Sequence, residues 1–273
     1  MKQTKKWSFS ALLMYALVIG AVFATSARAE GARRIQVAIK PDLYPISYID
    51  DGGNPVGYDI EIARLIDEKL PGYEFEFVPL SQEAILVGVE TGKYPVAISG
   101  FSKSPEREEK YLYPSENIGV VAFGLVVRTV DAGIDSFEKL ADSPGLKIQP
   151  VPPATSMQII YDSYNKEHPG KTIPYALGEW PNSADTLKWI VEGRYDVALV
   201  GINEYPKLVG ELGYEGKLKF NVVRTITTWS LFNKGEGEFA EAYASALREI
   251  KGTGLPSELS IKYFGEDLFK YLK

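Results

Sequence analysis

Arg107 is the residue whose type and spacing best fit it for recognition chemistry. Arg107 follows Ser104-Pro105, an N-cap and first-turn pair, so its guanidinium belongs to the first turn of a helix that begins just after a strand. A guanidinium grips a carboxylate through paired N–H···O bonds, and free amides at a helix start add donors for the same anion. The same arginine can instead pair in solvent with Glu106, Glu108 or Glu109. The helix of Arg107 starts beside the carboxyl end of a strand, where open α/β sheets collect ligands, whereas Lys40 at the end of the first strand reads first as a solvated lysine. Other chemistry is closed off. The chain has no cysteine, which removes disulfides, thiolate metal sites and cysteine nucleophiles. Its one histidine, His168, lies between Glu167 and Pro169 with no partner pattern. No metal or cofactor is expected.

The elements that must position these residues read as two similar α/β halves. Arg34 to Lys40 alternates and is β-branched, a first strand. Asp59 is placed to cap a helix through about Lys69, with Ile62, Leu65, Ile66 and Leu70 on one face. Glu74 to Pro79 reads as a strand, Ser81 as the cap of a helix ending at Gly92, and Tyr94 to Ser99 as a third strand. Strands alternating with helices predict crossover connections and a largely parallel sheet. The second half predicts strands at Leu146–Pro150, Thr172–Leu177 and Tyr195–Val200. Its helices are predicted at Thr155–Lys166, from Ser183 through Val191, and at Glu204–Leu212. Thr91-Gly92-Lys93-Tyr94-Pro95-Val96-Ala97-Ile98 is echoed by Glu192-Gly193-Arg194-Tyr195-Asp196-Val197-Ala198-Leu199. Extended apolar runs, Val120 to Arg128 and Lys219 to Phe232, cross between the halves, and a helix near Phe239 to Ile250 returns to the first. Two crossings between lobes make a hinge suited to closing around a ligand.

The chain is 273 residues long, 45% apolar and 24% charged, with net charge −6, the composition of an ordinary globular protein. Lys2, Lys5 and Lys6 precede an uncharged run from Ala11 to Ala24 and then Ala27-Arg28-Ala29, the layout of an export signal with its cleavage site. The run is shorter than the ~20 residues of a membrane-spanning helix. Cleavage after Ala29 removes four cations and no acid. The remainder is then too acidic for a general nucleic-acid binder. Without a cysteine for a lipid anchor, retention in a periplasm is the simplest destination.

Several segments stand in the order and spacing of one known family. Tyr44-Pro45-Ile46-Ser47-Tyr48, Val56-Gly57-Tyr58-Asp59-Ile60-Glu61-Ile62-Ala63 and Ser102-Lys103-Ser104-Pro105-Glu106-Arg107-Glu108 are followed by Gly193-Arg194-Tyr195-Asp196 and Ile261-Lys262-Tyr263-Phe264-Gly265. Together they resemble the extracellular solute-binding protein family 3, the amino-acid receptors of ATP-driven importers. Tyr161-Asp162-Ser163-Tyr164-Asn165-Lys166 and Arg107-Glu108-Glu109-Lys110-Tyr111 look like the cystine and sulfur-amino-acid receptors within it. The resemblance implies an α/β, two-lobe periplasmic binding protein fold (type II) with two hinge strands. Residues 30–126 and 225–273 would form one lobe, residues 127–224 the other, and residues 1–29 the signal. It further implies a monomer that captures a polar or sulfur-containing amino acid, or a related small carboxylate, and delivers it to a membrane permease without chemistry. A cyclohexadienyl dehydratase-like enzyme on the same scaffold, or a receptor for a non-amino-acid carboxylate, is the alternative.

Carried over residue by residue, the resemblance gives Arg107 the ligand carboxylate and puts Gly100, Phe101 and Ser102 in the cleft, with the backbone of Gly100 and the hydroxyl of Ser102 on the ligand. Ala154-Thr155-Ser156 falls where the family has a helix start touching the carboxylate, after an unusual run of prolines at 150, 152 and 153. Three positions depart from the pattern. Gly201 stands where an acid receives the α-ammonium, Gln82 where an aromatic stacks on the ligand, and Lys40 where binders of basic amino acids carry an acid. Asn203, Glu204 or Glu83 would then have to serve the ammonium, unless the ligand has none. Tyr44, beside Pro45, is the aromatic expected on the pocket wall; Tyr48 and Tyr58 are weaker choices.

Overall fold

The computed structural model describes residues 31–272 except Ala154, Trp180, Pro181 and Glu204; the segment read as an export signal lies outside them. The chain begins with β1 (Arg33–Ile39), which exposes Arg33, Arg34 and Gln36 and buries Ile35, Val37, Ala38 and Ile39. Three short strands, β2 (Asp42–Leu43), β3 (Ser47–Ile49) and β4 (Pro55–Val56), pair antiparallel in a small separate sheet. Then come α1 (Tyr58–Lys69), β5 (Tyr73–Pro79), α2 (Gln82–Glu90), β6 (Val96–Phe101) and α3 (Pro105–Lys110). The long strand β7 (Gly119–Arg128) leads into α4 (Phe137–Ala141), α5 (Ser156–Glu167), α6 (Ser183–Val191), β8 (Val197–Gly201) and α7 (Tyr205–Glu211). The chain returns along β9 (Leu218–Phe232) and ends with α8 (Gly237–Lys251) and α9 (Leu255–Phe264).

The main sheet has the order β5-β1-β6-β9-β7-β8. Only its first part is parallel: β1 lies between β5 and β6, with Ile39 level with Pro79 and with Ile98. The other pairings, β6–β9, β9–β7 and β7–β8, are antiparallel. The largely parallel sheet expected from the alternation of elements is therefore a mixed one. The cause is the connection itself: β7 leaves one half and β9 comes back beside it, so the two must run in opposite directions. Their pairing extends from Gly119↔Thr228 to Arg128↔Leu218, with a register shift between Phe123 and Gly124.

Each half has its own apolar centre. One gathers Ile35, Val37, Ile39, Ile62 and Ile98 with Phe239 and Tyr243 of α8. The other gathers Leu125 and Val127 of β7 with Tyr161, Val197 and Leu199. Arg128 ties down the edge of the second: Nη2 lies 2.6 Å from Asp196 and 2.8 Å from Asp131, while Nη1 donates to the Ile190 and Tyr195 carbonyls. Asp196 is structural, as its place at a helix-to-strand turn indicates.

Two predicted strands are reduced to single bridges, Ile148↔Val197 and Val151↔Leu177. Pro174 removes a ladder donor from the middle of its segment, and Pro150 ends the other, with Pro152 and Pro153 close behind it. The predicted cap of α1 is also corrected. Gly57, not Asp59, precedes the helix, and Asp59 lies inside it, 1% exposed. Beyond the helix predicted near Phe239 to Ile250 the structure adds α9, bounded by the left-handed glycines Gly254 and Gly265, which was not predicted.

Gly57 has φ 125°, and a Cβ built there would lie 2.5 Å from the Ile46 carbonyl oxygen. Gly57→Ala is expected to cost at least about 2 kcal/mol through backbone strain and that contact. Urea denaturation of the variant, compared with the wild type, measures it.

Candidate ligand-binding site

The carboxyl ends of β1 and β6 are fastened together by buried hydroxyls. Ser99 Oγ accepts from the Lys40 amide at 2.8 Å and lies 2.8 Å from Ser47 Oγ, which donates to the Lys40 carbonyl. The backbone of Lys40 is thus fixed, and its side chain leaves the sheet edge toward the space between the halves. Nζ donates to Gln82 Oε1 at 3.3 Å and sits 5.7 Å from the centre of the Phe101 ring. Burial lowers the Lys40 pKa; Asp42 and Asp59 oppose this, and the Arg107 charge adds to it.

Gly100 turns the chain at the end of β6 with φ +64°, a conformation that favours glycine. Its amide donates to Asp59 Oδ2 at 2.8 Å. Burial raises the Asp59 carboxyl to about 7, against the pull of the Gly100 amide and the Lys40 charge. The residue that follows the turn, Phe101, is 2% exposed and belongs to the core; only its ring face meets cations, Lys40 on one hand and Arg107 at 5.8 Å on the other.

Arg107 is half-buried in the first turn of α3, which Ser104 caps from its hydroxyl as the sequence predicts. Its Nη1 donates to the Ser102 carbonyl at 3.0 Å and reaches the Ser102 hydroxyl at 3.4 Å. Nη2 and Nε have no partner among the described residues. The guanidinium therefore stands behind Ser102. Arg107 lines an outer hollow together with Glu83, and neither residue lines the cavities between the halves, contrary to the direct carboxylate contact expected of Arg107.

Between the two halves lies a cavity of about 220 Å³. Lys40, Gly100 and Ser102 line it from the first half, Val121, Phe123 and Thr228 from the paired strands β7 and β9, and Ser156, Gly201 and Asn203 from the second. A second cavity of about 290 Å³ shares Leu43, Gly201 and Asn203 with it and continues past Tyr44, Met157, Leu187 and Tyr205. Of the residues singled out in the sequence, Lys40, Gly100, Ser102, Ser156, Gly201 and Asn203 meet in the first cavity and Tyr44 stands in the second. Gln82 reaches the site through Lys40. Thr155 is occupied locally: its hydroxyl accepts from the Gln158 amide at 3.4 Å and donates to the Pro152 carbonyl at 2.8 Å. Ala154 and Glu204 lie outside the described residues. Tyr48 packs on Tyr44 with ring centres 5.0 Å apart, whereas Tyr58 is buried and takes no part in the wall.

The sequence reading missed Asp59, Thr228 and Met157 as neighbours of the site. Asp59 stood within a quoted motif, but a polar residue ahead of a helix reads first as a cap.

No helix among the described residues is long and apolar enough to cross a membrane. Two α/β halves, joined by paired strands and enclosing a polar cavity at strand ends, define a two-lobe receptor for small solutes. The chain belongs to the bacterial extracellular solute-binding proteins, family 3, whose sequence model matches residues 35–266. The L-cystine-binding protein TcyK of Bacillus subtilis (strain 168) is 25% identical over 276 residues, spanning 97% of this chain and 98% of the relative. The arginine-binding extracellular protein ArtP of the same organism is 26% identical over 272 residues, with 95% and 98% spanned. Among solved structures, the L-cystine solute receptor of Neisseria gonorrhoeae in its unliganded open conformation shares the fold. Its TM-score is 0.68 at 24% identity, with 86% of this chain and 94% of that one covered.

Because Asp59 holds its proton up to about 7 when folded, while an unfolded aspartate releases it near 3.8, the folded protein loses stability as pH rises between those values. Asp59→Asn keeps an oxygen for the Gly100 amide and never ionises. The variant is expected to gain about 4 kcal/mol relative to the wild type between pH 4 and pH 8. Urea denaturation at both pH values checks this; an unchanged difference would mean that the carboxyl titrates normally.

Proposed function

We propose that this protein is the substrate-binding component of an ATP-driven importer, holding an amino acid or a related small carboxylate between its lobes and presenting it to a membrane permease. The observation that carries the reading is the first cavity. Lys40 and Ser102 line it from one lobe and Ser156 and Asn203 from the other, while Arg107 lies outside the lining, bonded to Ser102, with Nη2 and Nε unpaired among the described residues. A carboxylate entering there exchanges water for charged and hydroxyl donors, and a guest touching both lobes favours the closed arrangement over the open one. The names of the relatives, cystine receptors and an arginine receptor among them, support an amino acid as the guest. Lys40 at the cavity wall opposes a cationic side chain and supports a neutral or anionic one.

We place the lobe boundaries at residues 126–127 and 224–225, within the paired strands. Residues 1–29 act as a cleaved export signal that delivers a monomer to the periplasm. The protein works by binding alone. In support, the carboxyl whose proton affinity lies near neutrality, Asp59, is sealed behind the Gly100 peptide and cannot reach a guest as acid or base.

A thermal-shift screen of the amino acids and L-cystine identifies the guest. Arg107→Ala is expected to cut its affinity at least tenfold while the unliganded midpoint moves by no more than a few degrees, since the side chain is only half-buried. An undiminished ligand-induced shift in that variant would remove Arg107 from the site. Incubation with prephenate or arogenate is expected to give no aromatic product; turnover would establish the enzyme reading instead.

A further inference from the structure

We infer that Gly201 is an opening between the two cavities, so that one guest occupies both and the protein selects a carboxylate-bearing molecule with an extended apolar arm. The inference rests on the receptor reading and specifies its substrate class. Each cavity alone, about 220 and 290 Å³, falls below the ~300 Å³ at which ligand sites usually begin, whereas the two joined fall within the usual range. They share Leu43, Gly201 and Asn203 as lining residues.

Among the described residues nothing requires a glycine at 201. Its φ is not positive, so the backbone does not require it, and of the described residues a Cβ built there would meet only the edge of the Phe123 ring at 3.9 Å. The contrast is with Gly57, where a side chain would strike the backbone, and with Gly124, where one would strike the Phe220 ring at 2.5 Å. Glycine weakens a strand and gives nothing to its packing, and one popular use of it in a strand is to let a ligand approach closely. At the end of β8, paired with Phe123, the empty position faces the junction of the cavities.

The two chambers differ in charge. The first offers Lys40, Ser102, Ser156 and Thr228, donors for a carboxylate head, beside Ile46, Val121 and Phe123. The second has no cation in its described lining: Tyr44, Met157, Leu187 and Leu208 wall it, with Ser183 and the carboxylate of Asp42 among its polar groups. An aliphatic, aromatic or sulfur-bearing arm gains by leaving water there, while a charged arm loses its hydration to carbon and sulfur.

Calorimetric titration of the purified protein with L-alanine, L-methionine, S-benzyl-L-cysteine and L-glutamate tests this. L-methionine or S-benzyl-L-cysteine is expected to bind at least tenfold more tightly than L-alanine and L-glutamate. Gly201→Leu is expected to reduce that preference at least tenfold, and Gly201→Ala by a smaller factor; should the leucine variant fold poorly, the alanine variant carries the comparison. A wild type that prefers L-alanine or L-glutamate, or a preference that survives Gly201→Leu, overturns the inference and leaves the receptor reading standing. Binding of none of these probes, nor of any other amino acid, overturns both.

Discussion

The bond from the Gly100 amide to Asp59 organises the ligand-facing edge of the first lobe. It joins the turn after β6 to the first turn of α1, and so determines where Phe101, Ser102 and then Arg107 emerge. A charged aspartate would be costly in that position, and burial keeps its proton affinity high. The Gly100 amide and the nearby Lys40 charge both favour the ionised carboxyl and so offset part of the cost of burying it. The hydroxyl pair Ser47–Ser99 fastens the neighbouring strand end, so Lys40 and Ser102 are presented by a rigid edge rather than by a loop.

The second lobe contributes in a different manner. Its sheet is thinned by prolines to single bridges on one side, and what it brings to the cleft are short polar groups at the start of α5 and the end of β8. Charge is therefore concentrated in one lobe and small hydrogen-bonding groups in the other. Such a division lets a carboxylate dock first on the cationic lobe, with the second lobe closing over it.

Much of this was legible in the sequence because the signals were local. Ser81 and Ser104 cap the helices they precede, the alternation of Arg34 to Lys40 produces β1, and the apolar runs become β7 and β9. The family match extends over the positions whose motifs carried the resemblance. What escaped was non-local. The partner of Asp59 lies 41 residues away, so nothing beside it in the chain distinguishes a cap from a buried carboxyl. Pro150 and Pro174 overruled β-rich surroundings by removing single donors, an effect that composition averages away. The second cavity is assembled from Leu43, Met157, Leu187 and Leu208, which in a linear reading are indistinguishable from core.

The unbroken passage of β9 through both lobes, ladder-bonded to β7 for its whole upper length, has a mechanical corollary. Two tethers stitched to each other resist sliding and shear but yield to bending and torsion, and the register shift at Phe123 and Gly124 is the softest stitch. Rotation about an axis across that seam is therefore the relative motion that the paired strands oppose least.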